Sequence, residues 1–159
     1  TLLNSMKAGL RGVSDSESVG YYKNLTDEKK EYQRKVRTVL RGIAVLMRSL
    51  PMLNPFRYGI FAWQLFSHKL CRWLVPFAMI FALVSNIVLA AQSALYRILL
   101  VGHVLFYLTA AAYAGCSWMP KSNLFRLPSF FVLVNLSILD AWMRYWRGDR
   151  VFRWEPSKR

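Results

Sequence analysis

The sequence predicts a mainly α-helical membrane protein, in which amphipathic helices at the membrane interface precede two to three transmembrane helices. Hydrophobic residues make up 55% of the 159 residues. After residue 70 they are concentrated in runs long enough to cross a hydrocarbon core. Before residue 70 they recur with the helical period of about 3.6 residues. A soluble domain of this length would spread its apolar residues over shorter elements.

The net charge of +14 is concentrated at the two ends of the chain. Residues 1–72 contain 13 basic and 5 acidic residues, and residues 144–159 contain 6 basic and 2 acidic residues. Basic segments that flank apolar spans follow the positive-inside rule and attract anionic lipid headgroups. We therefore expect a lipid bilayer as a partner. We expect no nucleic acid, because no nucleic-acid-binding motif accompanies the charge.

Cysteines and histidines do not form a metal-binding pattern. Cys71 and Cys116 lie at the ends of apolar runs, which a hairpin would bring to the same cytoplasmic side, where thiols stay reduced. We interpret both as small apolar residues. The two histidines, His68 and His103, are far apart in sequence, and no metal-ligand spacing occurs.

Residues 1–25 are predicted to form a helix that ends near Gly9, followed by two short strands at residues 12–14 and 19–22 with a turn between them. This segment is too small to hold a hydrophobic core. It resembles the middle of a domain, and it has no signal-peptide pattern. We therefore expect the chain to be a piece of a longer protein.

Residues 26–71 are predicted to form interfacial helices. Thr26 suits the N-cap of a helix that runs from about residue 27 to Ser49, where Pro51 and Pro55 end it. Cations and aliphatic residues divide on a helical wheel, which is typical of a helix lying flat in the bilayer interface. The cationic stripe contains Arg34, Arg37, Arg41 and Arg48, and the apolar face contains Tyr32, Val36, Val39, Leu40, Ile43, Leu46, Met47 and Leu50.

A second interfacial helix is predicted at residues 56–70, where aromatic residues alternate with basic ones. The alternative is that this segment forms the lower end of a tilted membrane span. Four side chains are predicted to contact the membrane interface in this part of the chain: Arg41, Arg48, Trp63 and Trp73.

Transmembrane helices are predicted within residues 72–147, at about 72–91, 97–116 and 129–146. Residues 117–128 are predicted to form a loop closed by Pro120 and Pro128, and residues 148–159 a basic cytoplasmic tail. Asn86 interrupts the first span, and it is expected to make a helix–helix hydrogen bond. His103 lies inside the second span, so it is either a functional candidate or a neutral histidine bonded to a neighbour.

The third span creates a conflict about topology. Three full crossings would place the two basic ends on opposite sides of the membrane, although both ends carry the positive-inside signal. The third span is the least apolar, and its Asp140 and Arg144 are spaced four apart and can pair. We expect this span to be tilted, interfacial or re-entrant. The alternative makes residues 56–70 an additional crossing element.

No set of residues typical of a self-contained enzyme can be assembled from the chain. It lacks a Ser-His-Asp set, a Cys-His pair, a P-loop and a G-x-G-x-x-G motif. Anion binding at the membrane surface remains, by Arg34, Lys35, Arg37 and Arg41. Clustered guanidinium groups suit a diphosphate, because they offer bidentate donors and a permanent charge.

Three stretches resemble the membrane half of bacterial family 2 glycosyltransferases of the cellulose and hyaluronan synthase type. They are EYQRKVRTVLRG (residues 31–42), LNPFRYGIFAWQLFSHKLCRWLVP (residues 53–76) and WEPSKR (residues 154–159). The opening KAGLRGVSDSESVGYY is similar to the last strand of the GT-A catalytic domain of that family. The resemblance implies that residues 1–25 are a small remnant of a GT-A-type α/β domain.

The resemblance also implies a role for the first amphipathic helix, which corresponds to the helix carrying the family's Q-x-x-R-W motif. There the Arg contacts the nucleotide diphosphate and the Trp lines the acceptor entrance. In this sequence Arg37 matches the Arg, whereas Arg34 replaces the Gln and Thr38 replaces the Trp. Gln33 lies one position away. The implied diphosphate-binding residues are Gln33, Arg34, Lys35 and Arg37, and the acceptor-stacking residue is missing.

The nucleotide-sugar pocket, the D-x-D metal site and the general-base Asp of the family have no equivalent in this sequence. The resemblance implies a parent enzyme with an upstream GT-A domain, Mg or Mn, a nucleotide-sugar donor and a glycan acceptor. It also implies a multi-pass protein of the bacterial inner membrane, with its N-terminal part cytoplasmic and with membrane or periplasmic partner subunits. The alternative is a non-enzymatic, basic, polytopic membrane subunit that anchors or assembles partners.

Overall fold

The computed structural model describes residues 2–10, 12–13, 15, 17–21, 28–116, 119–120 and 122–149. This part of the chain is largely helical and contains no strand. A 3-10 turn at Leu50–Leu53 and a π-helical turn at Phe66–Cys71 separate some of the α-helices. The α-helices are α1 (Leu2–Lys7), α2 (Glu28–Met47), α3 (Pro55–Tyr58), α4 (Ile60–Leu65), α5 (Arg72–Ala90), α6 (Ala94–Gly115) and α7 (Asn123–Trp146).

The strands predicted near the N-terminus are absent where the structure describes their residues. Gly9 has a positive φ of 75° just after α1, as expected for a glycine that ends a helix. Residues 12–13 and 19–21 are irregular. A strand requires a neighbour that bonds to its backbone groups, and no described segment offers one. Ser14, Tyr22 and the predicted N-cap Thr26 lie outside the described residues.

The apolar face of α2 is buried against protein. Val36 and Ile43 have no exposed surface, and they belong to a core cluster that includes residues of α7. The sequence predicted that this face lies in the bilayer interface; that orientation is wrong, because α7 covers it with a complementary apolar stripe. Burying one such aliphatic side chain contributes about 1.5–3 kcal/mol. The shared cluster contains Val36, Leu40, Ile43 and Leu46 of α2 and Ile138, Ala141 and Trp142 of α7.

Trp73 packs across the middle of α2 at Gly42. A Cβ atom added to Gly42 would lie 2.7 Å from both Cη2 and Cζ2 of the Trp73 ring, which is closer than side chains approach one another. The absence of a side chain at Gly42 therefore lets the indole ring lie directly against the helix backbone. This contact fixes α2 relative to the first turn of α5.

The aromatic segment after α2 is continuous with the first span. Asn54 caps α3 by accepting a hydrogen bond from the Phe56 amide. Gly59, with a positive φ of 53°, ends α3 and separates it from α4. From Ile60 to Ala90 the 31 residues form one helical segment that passes through the π-helical turn. Residues 56–70 therefore do not form a helix separate from the first span, whereas their place at the membrane interface stays a prediction. The structure instead shows the continuity that the alternative expected, because the π turn widens the helix without ending it.

Three helical segments of the described chain are long and apolar enough to cross a membrane, namely Ile60–Ala90, Ala94–Gly115 and Asn123–Trp146. Their outer surfaces carry many exposed apolar side chains, as expected for contact with lipid. Examples are Phe81 and Val88 on α5, Ile98 and Leu105 on α6, and Leu124 and Leu127 on α7.

The helix α7 begins earlier than predicted. Its first residue is Asn123, so the second half of the loop predicted at residues 117–128 is helical. Pro128 lies inside the helix, as its sixth residue. A proline there removes a single backbone hydrogen bond, to the Leu124 carbonyl, because its ring nitrogen carries no proton.

The helix α7 returns to the end of the bundle at which α5 begins. Early in α7, the ring of Phe131 packs against Phe106 near the middle of α6, with the centroids 6.0 Å apart. Later in α7, Nε1 of Trp142 donates a 2.9 Å hydrogen bond to the Trp73 carbonyl oxygen. The ring of Trp146 lies 5.8 Å from that of Phe77. The last turns of α7 therefore pack against the first turns of α5.

Candidate functional site

The cationic stripe of α2 lies on the side of the helix opposite to its core. Arg34 and Arg37 are three positions apart, so their side chains are neighbours on one face. Both are half-buried, as is Arg41, whereas Arg48 is exposed just beyond the end of the helix. Because the core fixes the rotation of α2, the stripe points away from α7.

Arg34 is already paired within α2. Its Nη2 atom lies 2.8 Å from both carboxylate oxygens of Glu31, one turn earlier. The pair is partly buried, and ion pairs within one turn of a helix near the protein surface contribute only modestly to stability. Arg34 therefore offers an oriented cation whose charge is partly neutralised.

Arg37 and Gln33 are neighbouring members of the predicted set, the first half-buried and the second exposed. Arg37 makes no ion pair or hydrogen bond with any residue that the structure describes. Gln33 is exposed one turn before it, on an adjacent position of the helix surface. The structure thus brings Gln33, Arg34 and Arg37 together, with Arg37 having its full hydrogen-bonding capacity available.

Lys35 lies apart from the other three. Its Nζ atom is 4.8 Å from the centroid of the Phe130 ring in α7, and 3.9 Å from Glu31 Oε1. A cation over a ring face is attracted by the negative charge density of that face. Lys35 is thus oriented toward α7, and its predicted diphosphate contact would require it to leave this position.

A polar cluster joins α2 to α7 beside the core. Arg144 binds Asp140 with both ends of its guanidinium, with Nε 2.9 Å from Oδ1 and Nη2 3.2 Å from Oδ2. This confirms the pair that the sequence spacing predicted. Burial raises the pKa of the Tyr32 phenol, and the nearby negative charge of Asp140 raises it further. Tyr32 therefore stays neutral well above physiological pH, beside a carboxylate.

The residues predicted at the membrane interface differ in exposure. Trp63 is exposed, and it stacks on Phe66 with a centroid separation of 5.9 Å. Arg48 is also exposed, and Arg41 is half-buried. Trp73, in contrast, is only 8% exposed, because α2 and Trp142 enclose it. Its ring belongs to the protein core and is not available to lipid headgroups.

The side chains of Asn86 and His103 form a hydrogen bond with each other inside the α5–α6 hairpin. The Asn86 amide lies 3.1 Å from Nδ1 of His103. With the amide oriented to match all its neighbours, Oδ1 accepts from His103 and from the Leu100 amide, and Nδ2 donates to the Tyr96 carbonyl. The histidine is thus a hydrogen-bonded partner between helices, which is the structural role that the sequence left open.

Sequence reasoning missed two residues that hold the stripe in place, Gly42 and Trp142, and it placed Tyr32 on the apolar face without its link to the polar cluster. A glycine within an amphipathic helix is a usable signal, since it often marks a close approach of another group. Trp142 gave no comparable signal, because a tryptophan near a helix end reads as an interfacial anchor.

No metal site is found in the described part of the chain, where no three His, Cys, Asp or Glu side chains come together. Comparisons of the chain with protein-family models, with curated proteins and with solved structures found no match.

Proposed function

We propose that this chain is the membrane portion of a polysaccharide-building glycosyltransferase, in which α2 contributes to the site that binds the nucleoside diphosphate of a sugar donor. The parent enzyme transfers a sugar from a nucleotide-sugar to a growing cell-surface glycan. The proposal rests first on the sequence resemblance of residues 31–42, 53–76 and 154–159 to family 2 glycosyltransferases.

The geometry of α2 is the observation that supports the proposal best. One face is fixed to α7 and Trp73, so the opposite stripe presents Arg34 and Arg37 in a constant orientation. A preorganised cation stabilises charge that develops on a leaving group without having to rearrange during the reaction. Two neighbouring guanidinium groups match the oxygens of a diphosphate.

The chemistry assigned to this chain is limited to binding and charge stabilisation. As the bond between sugar and phosphate breaks, negative charge accumulates on the nucleoside diphosphate, and Arg37 and Arg34 neutralise part of it. The nucleotide pocket, the D-x-D motif and the general base belong to an upstream GT-A domain. The described residues do not fit the Mg or Mn ion of that domain, so we assign no metal-dependent step to this chain.

The membrane placement follows from the same proposal. The helical bundle lies in the inner membrane of a bacterium, with α2 on the cytoplasmic side, where nucleotide-sugars are made. The catalytic domain, the glycan acceptor and further membrane or periplasmic subunits are the proposed partners, together with anionic lipid headgroups.

An Arg37→Ala variant of the full-length protein is expected to transfer sugar about 10- to 100-fold more slowly than the wild type. A hydrogen bond to a charged group contributes about 1.5–3 kcal/mol, and each 1.36 kcal/mol corresponds to a tenfold change in rate. The rate is measured in native membranes as incorporation of radiolabelled sugar from the nucleotide-sugar donor.

Arg48→Ala is the matched control, because it removes the same side chain from the same stripe. Arg48 lies 11 positions after Arg37, about 16 Å along the helix axis, which is too far for both to contact one diphosphate. We expect near wild-type transfer from Arg48→Ala. Equal rates for Arg37→Ala and the wild type would contradict the diphosphate role and favour a non-enzymatic membrane subunit.

A further inference from the structure

The end of α7 and the start of α5 are joined by specific contacts. Nε1 of Trp142 lies 2.9 Å from the Trp73 carbonyl oxygen, and this hydrogen bond is buried. The Trp142 ring also contacts Phe77, with the centroids 6.0 Å apart. These residues belong to the first two turns of α5 and the last two turns of α7.

Three helices that cross a membrane in alternation cannot make these contacts. In that arrangement α5 and α7 run in the same direction, opposite to α6. Asn86 of α5 lies beside His103 of α6, so Trp73, 13 residues before Asn86, lies about 15 Å beyond Phe106, which is three residues after His103. Because Phe131 packs on Phe106 and Trp142, 11 residues later, bonds to Trp73, α7 runs in the direction of α6 and opposite to α5.

Basic side chains gather at the same end of the bundle. Arg72 is exposed at the start of α5, and Arg147 is exposed directly after α7. The basic helix α2 packs onto this end through Trp73 and Trp142. The turn between α5 and α6, at residues 91–93, contains no charged residue. Arg97 in the first turn of α6 and Arg126 in the first turn of α7 lie toward the other end, so the sidedness follows from the contacts between the helices, and the basic residues at the start of α5 and after α7 are those that one cytoplasmic face would hold.

We propose that the chain enters and leaves the bilayer on the same face, and that α7 does not carry it across. On this proposal α2, the start of α5 and the end of α7 contact a single anionic lipid surface. Basic residues near such a surface are attracted to anionic lipids, so Arg72 and Arg147 reinforce one another on one face. The inference concerns sidedness alone, and it does not depend on the proposed glycosyltransferase function.

Cysteine labelling of the full-length protein tests the sidedness. Every cysteine, Cys71 and Cys116 included, is replaced by serine, and one exposed reporter is introduced at a time: Arg57→Cys, Gln92→Cys or Asp149→Cys. Membrane vesicles of known orientation are treated with a membrane-impermeant maleimide. We expect Asp149→Cys and Arg57→Cys to react in vesicles of one orientation, and Gln92→Cys to react in the other. Reaction of Asp149→Cys in the same orientation as Gln92→Cys would overturn the proposal.

A distance measurement in purified protein gives an independent test that does not require oriented vesicles. Spin labels are attached at Arg72→Cys and Arg147→Cys in the same cysteine-free background, and their separation is measured by pulsed electron paramagnetic resonance. Residues on opposite faces of a bilayer are at least about 30 Å apart. We expect a separation clearly below that value, and a main distance above it would contradict the same-face arrangement.

Discussion

Replacing Trp142 with alanine is expected to destabilise the protein by about 3–5 kcal/mol, the usual range for removing a large buried aromatic side chain. Trp142 is 6% exposed, and its ring packs on Phe77, Tyr145 and Trp146. Its indole also provides the hydrogen bond to the Trp73 carbonyl. The measurement is the free energy of unfolding of the purified protein in mixed detergent micelles.

Two further variants separate the contributions at this position. Trp142→Phe keeps an aromatic ring and removes the N–H donor, so it isolates the hydrogen bond together with a smaller loss of packing. Trp146→Ala is the matched control, because Trp146 is in the same aromatic group but is 63% exposed. If Trp146→Ala cost as much as Trp142→Ala, the end of α7 would not be anchored through Trp142.

A Gly42→Val substitution is expected to lower the free energy of unfolding by about 1–3 kcal/mol, the cost typical of an overpacked site. The first added carbon would lie 2.7 Å from the Trp73 ring, and Trp73 is enclosed and cannot move away freely. Valine suits a helix at least as well as glycine does. The loss therefore reports on steric conflict with Trp73 and not on helix propensity.

Gly102→Val is the control for this prediction. Gly102 is also within a helix, but an added Cβ there meets no atom within 4 Å. We expect its effect to be within about 0.5 kcal/mol of zero, as for most surface substitutions. If the conflict is with the ring, the cost of Gly42→Val should shrink in a Trp73→Phe background. If the effects of the two substitutions were additive, the side chain at position 42 and the ring at position 73 would not be in contact.

The helices were largely predictable from the sequence, because their signals are local. The period of the apolar residues located α2, and uncharged apolar runs located α5 and α6 to within a few residues. The start of α7 was missed, because Pro128 was interpreted as the close of a loop, although a proline near a helix start is tolerated. The two strands near the N-terminus were predicted from local signals, and no segment that the structure describes pairs with them.

The surroundings of α2 could not be predicted in the same way. Amphipathicity shows that Val36 and Ile43 face something apolar, but lipid and protein satisfy that requirement equally. Whether lipid or protein covers this face depends on where α7 packs. That packing is a contact between distant parts of the chain, and the spacing of apolar residues within α2 does not reveal it. The predicted binding residues show the same limit. Arg34 and Arg37 share a face by spacing alone, whereas the orientation of Lys35 toward Phe130 depends on α7.

Chemical protection of arginine residues tests most directly the claim that the stripe of α2 binds a nucleoside diphosphate. The full-length protein in native membranes is treated with phenylglyoxal, with and without uridine diphosphate, and each modified arginine is quantified by mass spectrometry. We expect the nucleotide to reduce modification of Arg34 and Arg37 several-fold and to leave Arg48 unchanged. Equal modification of Arg37 with and without nucleotide would contradict the account.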